Sequence, residues 1–261
     1  MIKTNFKYLT FAVLFLFFIS CKKENPSPSN VGSIKILILP FHQNTPLVNS
    51  VKYTTTDGYT LSYNDLNFVL SNINILSQAG VRDTLNDVSF FDFRNLYTTQ
   101  LANNGLNIVF DQIEPGNYQG IELSVGVDSV TNSKDPAFFQ GHPYLGEVGN
   151  YWNAWNSYIF SRVEGELDTL PNQAGGVVSY LYHAGVNGMY QTRFFSKNFE
   201  VKCGEQTTLI FHLQGDEIFY KGTSSIPVKT NPVSHSGDVG TLGYNIARQV
   251  IENISNAFYL Q

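Results

Sequence analysis

The residues best equipped for chemistry in this chain are its two tryptophans and five histidines. Both tryptophans stand in one block, Tyr151-Trp152-Asn153-Ala154-Trp155-Asn156-Ser157-Tyr158-Ile159-Phe160, which is closed by Glu164-Gly165. A little further on, His183-Ala184-Gly185 puts an imidazole where a strand gives way to a turn. His42 is placed in a similar way, just past an apolar run and beside Pro40, and His142 sits in the loop Gly141-His142-Pro143 ahead of the tryptophans. Two such imidazoles without a thiolate or a carboxylate cluster favour a borderline or soft metal, copper first and zinc as its competitor. An indole nitrogen only donates a hydrogen bond, so Trp152 and Trp155 cannot ligate as they stand. Their ring faces can shelter a cation, worth about 1–2 kcal/mol when desolvated. Plain core packing is the competing reading of the pair, because aromatic rings bury large areas. Of the remaining histidines, His212 alternates with Phe211 and Leu213 and is expected to face outward, and His235 completes the five.

Other chemistries find little footing. There is no Cys-x-x-Cys-His run for covalent haem and no Asp-x-Asp-x-Asp-Gly loop for calcium. Gly-x-Ser-x-Gly is missing, and the Gly240-Thr241-Leu242-Gly243 run follows no strand pattern, which weakens a nucleotide reading. No serine or cysteine stands in a recognisable order with a histidine and an acid, and Glu164-Gly165 could as easily end a strand as serve as an acid. The chain is therefore expected not to be an enzyme.

The elements that must position these residues read mostly as strands. Ser33 to Leu39 is an apolar run bounded by Gly32 and Pro40. Leu66, Phe68 and Leu70 alternate, then the apolar parity slips to Ile73 and Ile75, which predicts a β-bulge near Ser71-Asn72. Pro115-Gly116-Asn117 marks a turn, after which Ile121, Leu123, Val125 and Val127 share a face. Further strands are predicted at 158–163, 177–183, 194–201 and 207–213. From Thr241 to Leu260 the period changes: Leu242, Ile246, Val250, Ile254 and Phe258 recur every fourth residue and predict an amphipathic helix. Asn253-Ile254-Ser255 matches a glycosylation acceptor by chance inside it. The fold class expected is an all-β sandwich of antiparallel strands with a C-terminal α-helix.

Lys3 and Lys7 precede an apolar run from Leu9 to Ile19 and then Ser20-Cys21. This is the layout of a secretory signal, too short for a spanning helix, and Phe18-Ile19-Ser20-Cys21 resembles a bacterial lipobox with Cys21 as the lipidated residue. Residues 1–21 are thus read as a lipoprotein signal, 22–32 as a Pro- and Ser-rich flexible tether, and 33–261 as one domain. The membrane partner would be met through that lipid, placing the protein on an outer membrane, facing the periplasm or the cell surface. With Cys21 acylated, Cys203 has no partner for a disulfide. Loss of Lys3 and Lys7 takes the net charge from -5 to -7, which argues against nucleic acid as a partner.

An ordered series of motifs resembles the MbnP-like copper-binding domain of Bacteroidetes-type lipoproteins. It runs through His42 with Pro46-Leu47, Tyr53 to Gly58, Leu66 to Leu76, Pro115-Gly116-Asn117-Tyr118 and Gly126-Val127-Asp128-Ser129, then the block from Trp152 to Gly165 and His183-Ala184-Gly185. The resemblance implies a lipid-anchored β-sandwich with a mononuclear copper site. His183 and His42 are the first candidate ligands, His142 is held in reserve, and Trp152 or Trp155 is an aromatic neighbour. In some relatives a tryptophan is oxidised to kynurenine by a separate dihaem, peroxidase-like enzyme, and the ring opening creates an amine able to ligate. The spacing here is Trp-x-x-Trp where that pattern has Trp-x-Trp, so strand alternation would send the two rings to opposite faces unless a bulge intervenes. A different class of function, a surface module binding glycan or peptide on Tyr151, Trp152, Trp155 and Tyr158, draws on the same block.

Overall fold

The computed structural model describes residues 30–261 apart from Asn172, Thr223, Ser224 and Ser236. The signal run, the lipidation candidate Cys21 and most of the tether lie outside those residues. Among the described residues the strands are β1 (Gly32–His42), β2 (Thr45–Pro46), β3 (Lys52–Thr54), β4 (Thr60–Ser77), β5 (Arg82–Asp92), β6 (Leu106–Ile113) and β7 (Gly116–Val125). They continue with β8 (Tyr151–Trp152), β9 (Ser157–Asp168), β10 (Val177–Gly185), β11 (Gln191–Val201), β12 (Gln206–Gln214), β13 (Val233–Ser234) and β14 (Phe258–Leu260). The α-helices are α1 (Thr99–Asn104), α2 (Ser129–Asn132), α3 (Asp216–Phe219) and α4 (Leu242–Asn256).

Two sheets result. The smaller runs β14-β12-β1-β2 with β6 also on β1, and the larger runs β11-β7-β4-β9-β10-β13 with β3 and β5 on the other edge of β4. In β1 the β-branched Ile34, Ile36 and Ile38 are fully buried while Lys35, Leu37 and Leu39 are half-buried, the period of two expected of a strand covered more on one face. β4 spans 18 residues and organises the larger sheet. Its first half pairs with β9 and β3, its second with β7 and β5. The predicted bulge lies between these halves: Asn72 has φ of 45° and the register with β7 shifts between Ser71 and Asn74.

The sheets meet over an aromatic core. Phe68 of β4 lies 5.6 Å from Phe258 of β14, which in turn lies 6.1 Å from Phe211 of β12. The sandwich stands as expected, but it is mixed: β1 pairs with β12, and β10 with β13, in parallel. Alternation reports which face of a strand is buried, and it carries no trace of a partner's direction when that partner is far along the chain.

α4 starts where Thr241 accepts a hydrogen bond from the Tyr244 amide, and it buries Ile246, Ala247, Val250, Ile251 and Ile254. It ends at Asn256, four residues before the predicted end. Phe258 kept the apolar spacing going because it is a core residue, but it reaches the core from β14, which pairs with β12. Asn253 is buried and donates to the Ile218 carbonyl at 2.9 Å, so the acceptor-like triplet is structural.

Candidate metal centre

The larger sheet sorts its residues between two faces. Tyr180 and Tyr182 of β10 and Tyr63 of β4 point to the core, where all three rings surround Phe219. His183 alternates with Tyr182 and Ala184 and therefore lies on the outer face. Strand register sets its neighbours: His183 stands opposite Arg162, and Arg162 opposite Asn67, while in the next row Leu181 stands opposite Glu164, and Glu164 opposite Asp65. Glu164 thus sits inside β9, where sequence had allowed it to end a strand. Its Oε1 lies 2.7 Å from His183 Nε2. The other ring nitrogen, Nδ1, is buried and has no hydrogen-bond partner. Gly165 is required because a Cβ there would overlap the Ser62 carbonyl oxygen and the Tyr180 hydroxyl, which donates to that oxygen at 2.8 Å.

The two tryptophans approach from a hairpin. Trp152 in β8 pairs with Ser157 in β9, and the chain between them turns, with Asn156 at φ of 49° and the Trp155 amide donating to the Trp152 carbonyl at 3.0 Å. The expectation of opposite faces is therefore corrected. Trp155 does not continue a strand, and the turn folds its ring onto Trp152 at 4.7 Å and 15°. Trp155 fits between two glycines: a Cβ at Gly185 would lie 2.9 Å from its Cε3, and one at Gly237 2.8 Å from its Cδ1.

Trp152 also receives two imidazoles. His235, in the stretch after β13, stacks near-parallel to it at 5.4 Å and 17°, and His183 meets it edge-on at 6.1 Å and 65°. A cleft of about 450 Å³ opens beside Trp152, Arg162 and His183, and another of about 410 Å³ beside Trp155, His235 and Asp238. The hairpin base is tied by Ser157, whose Oγ accepts from the Val186 amide at 2.9 Å and from Asn132 Nδ2 at 2.8 Å.

Burial is the largest influence on His183 and holds its pKa below the usual histidine value, with Arg162 and His235 acting in the same direction and the bond to Glu164 opposing them. The ring is neutral at pH 7 and one nitrogen keeps a lone pair. Asp65, across from Glu164, is pushed up to about 6, chiefly by burial, with Arg94 at 3.8 Å pulling the other way. A carboxyl whose pKa rises on folding from 3.8 to about 6 binds more protons folded than unfolded in that window, so it weakens the fold as pH climbs through it. Asp65→Asn is accordingly expected to gain about 1–2 kcal/mol in urea unfolding at pH 8 and to lose that advantage by pH 4. An equal effect at both pH values would contradict the assignment.

The structure separates the other candidate ligands from this corner. His42 is the last residue of β1 but is only 3 % exposed, stacked on Tyr53 at 4.7 Å and 6.2 Å from Tyr63 on the core side of the sheet. Its Nε2 lies 3.4 Å from the Thr54 carbonyl oxygen and its Nδ1 is also buried without a hydrogen-bond partner. His142 Nδ1 accepts from the Tyr144 and Leu145 amides at 3.1 and 3.0 Å. That imidazole lines a cavity of about 570 Å³ together with Phe90, Leu106 and Ile108, apart from the two clefts that the tryptophans line. His212 faces away from the core and contacts Gln261. Sequence reasoning passed over His235 and the His183–Glu164 pair. Register could have found Glu164, since Leu181 and Glu164 face each other two residues from His183, but nothing local marks His235. Among the described residues no three His, Cys, Asp or Glu side chains are grouped for a metal ion.

The profile of the MbnP family matches residues 32–236 and ends ahead of α4. The solved structure of MbnP from Methylosinus trichosporium is similar in fold, with a TM-score of 0.55 at 11 % identity over 88 % of this chain and 98 % of that one. No curated protein matches the chain.

Proposed function

The chain belongs to the MbnP family, and from that premise we propose that it is a copper-binding protein whose ion is held where His183 and His235 meet Trp152. The observation that carries this reading is His183 Nδ1, a buried nitrogen with no hydrogen-bond partner. Leaving such a group unpaired costs about 1–3 kcal/mol, so its position asks for an occupant. The donor set suits copper: two imidazoles, with no thiolate or carboxylate cluster among the described residues to select a different metal. His42 has an orphaned nitrogen as well, but its ring neighbours among the described residues are Tyr53 and Tyr63.

Copper when bound supplies a redox-active, Lewis-acidic centre. The chain's own residues hold and shelter it: His183 and His235 donate nitrogen, Trp152 covers them, and Trp155 braces Trp152 from between its two glycines. With two imidazoles in reach, solvent or a Trp152 opened to kynurenine would supply a further donor. The chain has no haem motif, so that oxidation falls to a separate dihaem partner. The role is binding and not catalysis, on a protein tethered to the outer membrane through a lipid on Cys21. The signal-like run before Cys21 supports the anchor, and no described helix is long and apolar enough to cross a membrane. The glycan-platform reading fares less well, because Trp152 already stacks with Trp155 and His235.

Copper titration of the purified mature chain tests the proposal. One tightly held equivalent, bound in preference to zinc, is the expected result. Absence of stoichiometric uptake would overturn it, and a mass about 4 Da above the sequence value in protein from its native host would report the conversion of one tryptophan.

A further inference from the structure

We infer that Glu164 is the positioning residue of this corner: it fixes His183 as the tautomer protonated on Nε2 and so makes Nδ1 the nitrogen offered to the metal. The inference rests on the copper reading for its purpose, but its structural half stands on the metal-free chain. A neutral imidazole has one N–H and one lone pair, and a carboxylate can only accept. With Nε2 2.7 Å from Glu164 Oε1, the proton belongs on Nε2, and the lone pair is left on the buried, partnerless Nδ1. A carboxylate behind an imidazole both orients the ring and raises the basicity of its far nitrogen.

Glu164 is well placed for this work. β9 is an interior strand, paired with β4 on one side and β10 on the other, so ladder hydrogen bonds on both sides hold the backbone beneath it. The side chain is 33 % exposed, which lets it be replaced without opening the core. The charges around it are themselves held. Arg94 pairs with Asp92 at 2.6 Å and stands 3.8 Å from Asp65, and Arg162 donates to the Gly149 carbonyl at 2.8 Å. The ring has little freedom left, since Trp152 meets it edge-on.

The test begins on metal-free, ¹⁵N-labelled protein, where two-bond proton–nitrogen correlations report which ring nitrogen carries the proton. Wild type is expected to show His183 protonated on Nε2 alone. Glu164→Ala should lose that preference, and Glu164→Gln, whose amide oxygen can still accept, should keep it. Copper affinity should then fall about 10- to 100-fold in Glu164→Ala and recover in Glu164→Gln. A wild-type ring protonated on Nδ1, or a Glu164→Ala protein with the wild-type tautomer and affinity, overturns the inference. If the tautomers behave as described and no variant or wild type takes up copper, the positioning role holds and the copper reading is what fails.

Discussion

His183→Ala is expected to abolish stoichiometric copper uptake, while His42→Ala and His142→Ala each still bind one equivalent. The contrast follows from where the three imidazoles lie. His183 and His235 both contact Trp152, so loss of His183 leaves a single imidazole at the corner and strands Glu164 without its partner. His42 ends β1 of the smaller sheet and is buried in the core, packed on Tyr53, and His142 spends its Nδ1 on two backbone amides in a loop. Their loss touches packing and loop order, and equilibrium dialysis against buffered copper separates that from loss of the metal. Uptake by the His183→Ala protein equal to wild type would remove this corner from the account.

The second large effect is on stability. Gly165→Ala is expected to cost about 3 kcal/mol or more in urea unfolding, because the added methyl meets the Ser62 carbonyl oxygen of the neighbouring strand and the Tyr180 hydroxyl together. Neither can yield cheaply: Ser62 belongs to β4 at the centre of the larger sheet, and Tyr180 is fully packed against Phe219. Because Gly165 follows Glu164 directly, the same change should loosen the His183 contact. A variant as stable as wild type would mean that β4 and β9 are not in the register described.

Much of this arrangement was legible in the sequence because it is local. The bulge at Asn72 showed as a parity slip, and β9, β10, β11 and β12 showed as alternation. The lipoprotein start expected at residues 1–21 lies outside the described residues. What sequence could not convey is direction and distance. The parallel pairings of β1 with β12 and β10 with β13 join segments far apart in the chain, and β14 is three residues of strand written in the period of the helix before it.

The site divides the same way. His183 drew notice as an expected strand end, although β10 continues through Gly185, and Trp152 as part of a dense aromatic block. The meeting of Trp152 with Trp155 depended on a turn at Asn153 to Asn156 that strand alternation misread. His235 comes from a short stretch after β13 that carries no periodic signal, and only the fold brings it over Trp152. Glu164 was visible, but its role required the register of β9 against β10. His42 looked as eligible as His183, and what sets them apart is that His42 ends β1 inside the core between the sheets while His183 lies on the outer face of the larger sheet.

Anomalous scattering at the copper edge from crystals of the copper-loaded chain tests the central claim most directly. One peak within bonding distance of His183 Nδ1, on the side shared by Trp152 and His235, is the predicted result. A peak at His42 or His142, or one on the Glu164 side of the His183 ring, would contradict it.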